Sequence, residues 1–145
     1  MAIESQGAIF FWSTSTAAST STSHAVAEVV GFNGPTGSAN VIDVSHLGST
    51  AKEKLIGLRD EGQVSFDVNF RPGTTGQDYL RTCRANRSMK KAVIQLNDNT
   101  TEMTKTKIIF DAYVSGFSIT GAVDQVVKGS ITLEITGACT YATAL

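Results

Sequence analysis

The sequence contains little charge, little proline and only two cysteines. Charged residues make up 17% of the 145 residues, and 12 Lys and Arg nearly balance 13 Asp and Glu. This balance excludes a strongly basic DNA-coating protein and a highly charged disordered chain. Cys83 and Cys139 lie far apart and form no CxxC motif. We therefore expect two reduced, partly buried thiols and no disulfide framework.

Long hydrophobic runs are also missing. The apolar run at residues 8–12 is too short for a membrane span or for the core of a signal peptide, and no Lys or Arg precedes it. We therefore expect a protein that stays in the cytosol where it is made, with no membrane partner. Serine and threonine are abundant instead, and 13 Gly stand against two Pro. This composition favours β-structure with many turns.

The first 23 residues differ from the remainder, and we predict an arm (residues 1–23) followed by a single domain (residues 24–145). From Ser13 to Ser23, nine of eleven residues are Ser or Thr and none is charged. Such a segment cannot offset its ordering entropy by burying apolar surface. Either it is a flexible leader, or it orders when the aromatic run at residues 10–12 docks on a partner.

Hydrophobic periodicity predicts a mainly β protein. Strict alternation indicates strands at 63–70 and 127–135, and further strands are predicted at 25–32, 40–47, 92–96 and 105–120, the last with a bulge at Gly116. The capping box Thr50-x-x-Glu53 predicts a short helix over 51–56, and Thr75-x-x-Asp78 opens a longer helix over 75–86. The expected fold is an antiparallel β-sandwich or barrel with one flanking α-helix and a short second helix.

Catalytic and metal-binding patterns are absent from the sequence. Asp43, Ser45 and His46 are triad residue types, but as sequence neighbours they cannot adopt the geometry of a triad built from separate elements. Gly48-Ser-Thr-Ala-Lys52 lacks the GK[ST] ending of a phosphate-binding loop. The two histidines and two cysteines have no metal-ligand spacing. We expect no catalytic residue, no metal, no cofactor and no enzymatic activity.

Positive charge is concentrated in one segment. Residues 81–91 contain five Lys and Arg and no acidic residue, so the rest of the chain is net negative. Three interpretations remain open: a nucleic-acid contact, a solvated helix face, and a basic flank that meets the acidic surface of a neighbouring copy.

Residues 41–62 resemble the signature of phage tail tube (major tail) proteins of long, non-contractile tails. The family pattern "IDVT-L-STAKE---GL-D-G" is matched here by "IDVSHLGSTAKEKLIGLRDEG" from Ile42 to Gly62. The alternating strand and the Pro-Gly-x-x-Gly-Gln turn at 72–77 follow, and residues 114–119 and 130–137 resemble the closing hairpin of the family. The resemblance covers residues 24–140, and the Ser/Thr-rich leader departs from it.

This resemblance implies a structural virion protein. Six copies would form a ring by continuing their inner sheets into one barrel, and rings would stack into the tube that conducts the phage DNA without sequence-specific binding. Expected partners are further copies of the chain, the tape measure protein and the tail completion proteins, with assembly in the cytoplasm of the bacterial host. No cofactor is implied.

Two groups of site residues follow. The candidates for contacts between subunits are Phe10, Phe11, Trp12, Asn33, Pro35, Asp43, Leu47, Lys52, Glu53, Arg81 and Arg84. The candidates for the lumen wall are Ser65, Asp67, Asn69, Lys128, Ser130, Thr132 and Glu134. Small polar and acidic groups form few favourable contacts with phosphates, so a wall of this kind would retard DNA little.

Other functions remain open on the sequence alone. One is a related tail part: a distal tail or tail terminator ring protein, or the tube protein of a contractile tail or a type VI-like secretion machine. Another is a β-sandwich binding module, but that function calls for exposed aromatic clusters in loops, and the loops near 33–40 and 97–104 contain none.

Overall fold

The computed structural model describes residues 2–13 and 23–143. Its elements are β1 (Ile9–Ser13), β2 (Ser23–Ala25), β3 (Val29–Asn33), β4 (Ser38–Asp43), β5 (Lys54–Asp60), β6 (Gln63–Asn69), α1 (Thr75–Asn86), β7 (Lys90–Gln95), a 3-10 turn (Glu102–Thr104), β8 (Lys107–Thr120) and β9 (Lys128–Ala142). Seven strands form one antiparallel sheet in the order β2-β1-β7-β8-β9-β6-β3, whereas β4 and β5 form a separate hairpin. The predicted mainly β class with a flanking helix is confirmed.

The sheet curls around one core. The ring centroids of Phe10 on β1 and Phe66 on β6 lie 4.4 Å apart, although four strand-to-strand steps separate these strands in the sheet order. Helix α1 covers the same face, with Leu80 and Cys83 in the core cluster. The indole N–H of Trp12 donates to Sγ of Cys83 at 3.3 Å. The result is a half-barrel whose concave side is apolar and closed by the helix.

The two longest strands divide the sheet into two parts. Strand β7 pairs with β8 only up to Ala112, and β6 pairs with β9 only up to Glu134. The remaining halves of β8 and β9 pair with each other and with β6 and β3. We call the four segments 29–33, 63–69, 113–120 and 128–134 the polar half-sheet. A register shift between Val114 and Gly116 confirms the predicted bulge.

Helix α1 begins and ends where the sequence predicts. The side chain of Gln77, fully buried, fixes the start of this helix to the sheet. Its Nε2 donates to the carbonyl oxygens of Ala27 and Asn69 at 2.9 and 3.1 Å, and its Oε1 accepts the N–H of Arg71 at 3.0 Å. Three backbone groups that would otherwise be unpaired are thereby satisfied.

The predicted short helix over residues 51–56 is wrong. Strand β5 lies there instead and pairs with β4, with Leu55 opposite Ile42 and Ile56 opposite Val41. The N–H of Glu53 donates to the hydroxyl of Ser45 at 2.8 Å and forms no capping interaction with Thr50. Pairing across the hairpin therefore overrides the local capping signal.

The predicted strand at 25–32 is also wrong in its continuity. Ala27 and Glu28 form a turn, and Glu28 has a left-handed φ of 61°. This turn separates β2 from β3, which lie at opposite edges of the sheet. The strands predicted at 63–70 and 92–96 and the long hairpin of β8 and β9 are confirmed within one or two residues, except that β9 continues to Ala142.

The prediction of an exposed aromatic run at residues 10–12 is wrong for Phe10 and Trp12. Strand β1 pairs with β7, and Phe10 and Trp12 alternate into the core of their own chain, where Trp12 is 0% exposed. Phe11 points to the other face and is half-buried. An indole on a paired strand removes more apolar surface from water in this core than it could as an isolated tip. Residues 14–22 of the predicted arm lie outside the described residues.

Candidate functional site

The structure brings together all seven residues predicted for the lumen wall. They lie on the face of β6 and β9 that points away from the core, because Val64, Phe66, Val68, Ile131 and Leu133 occupy the alternate positions and are buried. Ser65 lies opposite Thr132, Asp67 opposite Ser130, and Asn69 opposite Lys128. Glu134 lies opposite Gln63 and accepts a hydrogen bond from its amide.

The same surface continues onto the two flanking strands. Asn33 of β3 lies opposite Ser65, and Ser118 of β8 lies opposite Ser130. The hydroxyl of Ser115 donates to the carbonyl oxygen of Thr132 at 3.1 Å. Four strands therefore present small polar groups, with Asp67, Glu134 and Lys128 as the charged residues on β6 and β9.

The basic residues of α1 lie on the opposite side of the sheet. Because Leu80 and Cys83 pack into the core, the exposed side of this helix points away from the polar face. Arg81 pairs with Asp78, and its guanidinium lies 5.8 Å from the ring centroid of Phe70. Arg84 is exposed on the same helix. The candidates Arg81 and Arg84 are therefore separated from the polar face by the thickness of the core.

Two strand edges of the polar half-sheet have no partner strand within the described residues. Strand β3 is the last strand of the sheet on one side. On the other side, β8 has no neighbour beyond Ala112, where its pairing with β7 ends. Exposed apolar side chains accompany both edges: Val30 is 61% exposed and Ile119 is 51% exposed.

The hairpin of β4 and β5 has exposed apolar side chains on both faces. We call this set the hairpin patch: Val41, Ile42, Leu47, Leu55, Ile56 and Leu58. The predicted contact residues Asp43, Lys52 and Glu53 are exposed on the same hairpin. The N–H of Ser45 donates to the carboxylate of Asp43 at 2.9 Å and lowers the pKa of that carboxyl group.

The base of this hairpin is fixed by close contacts. A Cβ at Gly34 would lie 2.4 Å from the carbonyl oxygen of Gln63, and one at Gly62 would lie 2.6 Å from Oγ1 of Thr36. The N–H of Gln63 donates to the same Thr36 oxygen at 3.2 Å. Pro35, a predicted contact residue, is half-buried in this junction. The direction in which the hairpin leaves the sheet is therefore defined by backbone packing.

The sequence analysis missed most of the hairpin patch and the apolar residues at the free edges. The helix predicted over 51–56 concealed the two cross-strand pairs that expose Leu55 and Ile56. A signal was present, since Val41, Ile42, Leu55 and Ile56 are strand-forming or apolar residues flanking a Gly- and Ser-rich loop.

No catalytic or metal-binding chemistry is organised in the part of the chain that the structure describes. No group of three or more His, Cys, Asp or Glu side chains within residues 2–13 and 23–143 could hold a metal ion. Across the same residues, no helix has the length and apolar character needed to span a membrane. Both thiols are free, and burial raises the pKa of Cys139 to about 11, so this thiol is a poor nucleophile at neutral pH.

Solved structures with this fold are tubes and tube terminators of phage-like particles. The SPP1 tail tube aligns with a TM-score of 0.73 at 15% identity, covering 97% of this chain and 78% of that chain. The tail of a gene transfer agent particle, refined in C6 symmetry, gives 0.75 at 12% identity over 97% and 99% of the two chains. The sheath/tube terminator structure of an extracellular contractile injection system (PVC) gives 0.72 at 16% identity over 98% and 97%.

Among curated proteins, none matches the sequence. The family model described as phage tail tube, TTP, lambda-like matches residues 1–144. This is a family of structural proteins of the virion tail. The chain therefore belongs to the lambda-like phage tail tube protein family.

Proposed function

We propose that copies of this chain form closed rings and that the rings stack into a tail tube through which phage DNA leaves. The observation that carries this proposal is the pair of free edges on the polar half-sheet. Unpaired strand edges template pairing with another chain, and closing a sheet into a barrel removes them.

The strand directions permit such a closure. Every neighbouring pair in the order β3-β6-β9-β8 is antiparallel, so β3 and β8 run in opposite directions. A second copy in the same orientation can therefore place its β3 beside residues 113–120 of β8 and continue the antiparallel pattern. This contact is heterologous, because it uses a different edge from each copy, and heterologous contacts generate rings when the rotation closes.

Both faces of the joined sheets match. The polar face of one copy continues into that of the next, with Asn33 of one β3 near Ser118 of the neighbouring β8. On the core side, Phe32 lies opposite Phe66 and Ile119 opposite the buried Gly129, so their exposed surfaces point towards the joint. Ring closure would cover these two apolar side chains and leave the polar groups in water.

Six copies give a channel of suitable width. The tail of the gene transfer agent particle was refined in C6 symmetry, which supports the same number here. With four strands from each copy, the barrel would contain about 24 strands, and barrels of 16–18 strands already enclose an aqueous channel. We infer that the polar face lines this channel and that α1 lies on the outer wall.

The direct test is assembly of the purified protein. We expect a monomer at low concentration, and rings of six copies that stack into tubes when the protein is concentrated or seeded, because both free edges become satisfied. Negative-stain electron microscopy and sedimentation velocity would record both states. A globular monomer at every concentration would contradict the proposal.

The composition of the channel wall gives a second test. Replacing Asp67 and Glu134 with lysine should still permit tubes but slow or block DNA release from particles, because lysines in the lumen bind phosphates with a gain from counterion release. The control adds lysines at Ala85 and Asn86 on α1, where release should remain normal. A tube with Arg81, Arg84 and Arg87 on its inner wall and Asp67 and Glu134 outside would refute the assignment.

A tail terminator is the second candidate, favoured by the structural likeness to the contractile-system terminator. It predicts single rings that never elongate, which the same microscopy distinguishes from tubes. In the virion, the tape measure protein and the tail completion proteins are the further partners that we expect, with assembly in the host cytoplasm.

A further inference from the structure

The turn between β8 and β9 has an exposed apolar surface of defined shape. We call Val123, Val126 and Val127 the turn patch; Val123 is 89% exposed. The N–H of Gln125 donates to the carbonyl oxygen of Ala122 at 3.3 Å, and the N–H of Phe70 donates to that of Val127 at 2.8 Å. These bonds hold the turn in one conformation, so its exposed valines form a prepared surface.

The hairpin patch lacks cover in the isolated chain. Ile42 and Leu55 form a cross-strand pair on one face, and Val41 and Ile56 form a pair on the other. All four side chains are exposed, and Leu58 beside them is 95% exposed. A two-stranded hairpin is marginally stable alone, so apolar residues on both faces indicate that other copies cover it.

The turn patch and the hairpin patch lie at opposite ends of the same strands. The hairpin of β4 and β5 connects the end of β3 to the start of β6, at the level of Gln63 and Glu134. The β8–β9 turn lies at the other end, at the level of Asn69 and Lys128. A copy displaced along the strand direction therefore brings its turn towards the hairpin of the copy from which it was displaced.

The charges near the two patches are complementary. Asp124 is the one charged residue in the turn, at residues 121–127. Lys52 and Lys54 lie beside Leu55 on the hairpin. None of these three side chains forms a salt bridge in the part of the chain that is described. Opposite charges beside matching apolar surfaces favour one orientation of the contact.

We propose that the turn patch of each copy binds the hairpin patch of a copy in the adjacent ring, and that this contact stacks the rings head to tail. The inference rests on the proposed function, since it assigns the surfaces that join one ring to the next. A contact between opposite ends is heterologous and does not close on itself, so it propagates from ring to ring.

Mixing two defective variants tests the head-to-tail arrangement. The turn variant carries Val123→Asp and Val126→Asp, and the hairpin variant carries Leu55→Asp and Ile56→Asp. Each alone should form rings but no tubes, because the new carboxylates would be buried without partners. A mixture should give pairs of rings, since an intact hairpin on one variant meets an intact turn on the other. Ala85→Asp on the outer side of α1 is the control, and it should give normal tubes.

A cross-link tests the contact itself with the hairpin unchanged. A photo-reactive benzoylphenylalanine at position 123 is introduced, and tubes are irradiated and analysed by mass spectrometry. We expect cross-linked peptides from residues 38–60 of another copy. Tubes whose cross-links fall on any other segment, or a mixture of variants that forms no ring pairs, would overturn this inference and leave the tube proposal intact. Wild-type protein that forms no rings would overturn both.

Discussion

Replacing Ile119 with lysine is expected to give a folded monomer that no longer forms rings. Ile119 lies on the core side of β8 at its free edge and is 51% exposed in the isolated chain. Its change should alter the free energy of unfolding little, since the lysine head can remain in water. In a ring, the same ammonium would be enclosed beside Phe32 of the neighbouring copy without a counter-charge. Charged residues that point inward at an edge are a known barrier to strand pairing.

The loss should be recorded at both edges. Val30→Lys changes the other partner of the proposed joint and should also leave a particle of about 15.3 kDa in sedimentation velocity at concentrations where the wild type forms rings. Met103→Lys, at an exposed position of the 3-10 turn, is the matched control and should assemble normally. Normal rings from either edge variant would show that ring closure uses different surfaces.

Replacing Trp12 with alanine should cost about 3–5 kcal/mol in the free energy of unfolding. The indole is fully buried in the core cluster, and its N–H donates to the Cys83 sulfur, which ties β1 to α1. The change would leave a large cavity at the contact of β1, β7 and the helix. Urea denaturation of the monomer, followed by circular dichroism, measures this cost.

Phe11→Ala is the internal comparison for the Trp12 variant. Phe11 is the adjacent aromatic residue on the other face of β1 and is half-buried, so its loss should cost clearly less. If both variants cost equally little, β1 does not dock in its own chain. The aromatic run would then be available to another copy, as the sequence alone first suggested.

The alternating strands and α1 could be predicted because their signals are local. Gln63–Asn69 has one apolar side chain at every second position, so the buried face and the polar face follow from the sequence alone. For the same reason, the residues of the polar face were correctly grouped. The break at Glu28 could not be predicted, because a left-handed φ at a non-glycine residue has no clear sequence signature.

The edges and patches could not be predicted because they depend on long-range pairing. Whether residues 113–120 of β8 have a free edge depends on where β7 stops, and the sequence of β8 contains no signal for this. The capping box at Thr50 was misleading for a similar reason, since β4 supplies partners that a local motif cannot anticipate. Trp12 illustrates the same limit: the core that buries it is formed by residues more than 50 positions away.

The tightly packed base of the β4–β5 hairpin has a consequence for the geometry of a long assembly. If this hairpin joins successive rings, the angle at which it leaves the sheet determines how far each ring is rotated relative to the one below. Gly34 and Gly62 define that angle, because no side chain fits between them and the backbone of Gln63 or Thr36. The helical twist of the whole tail would then be encoded at two residues, and its pitch could change without loss of any contact surface.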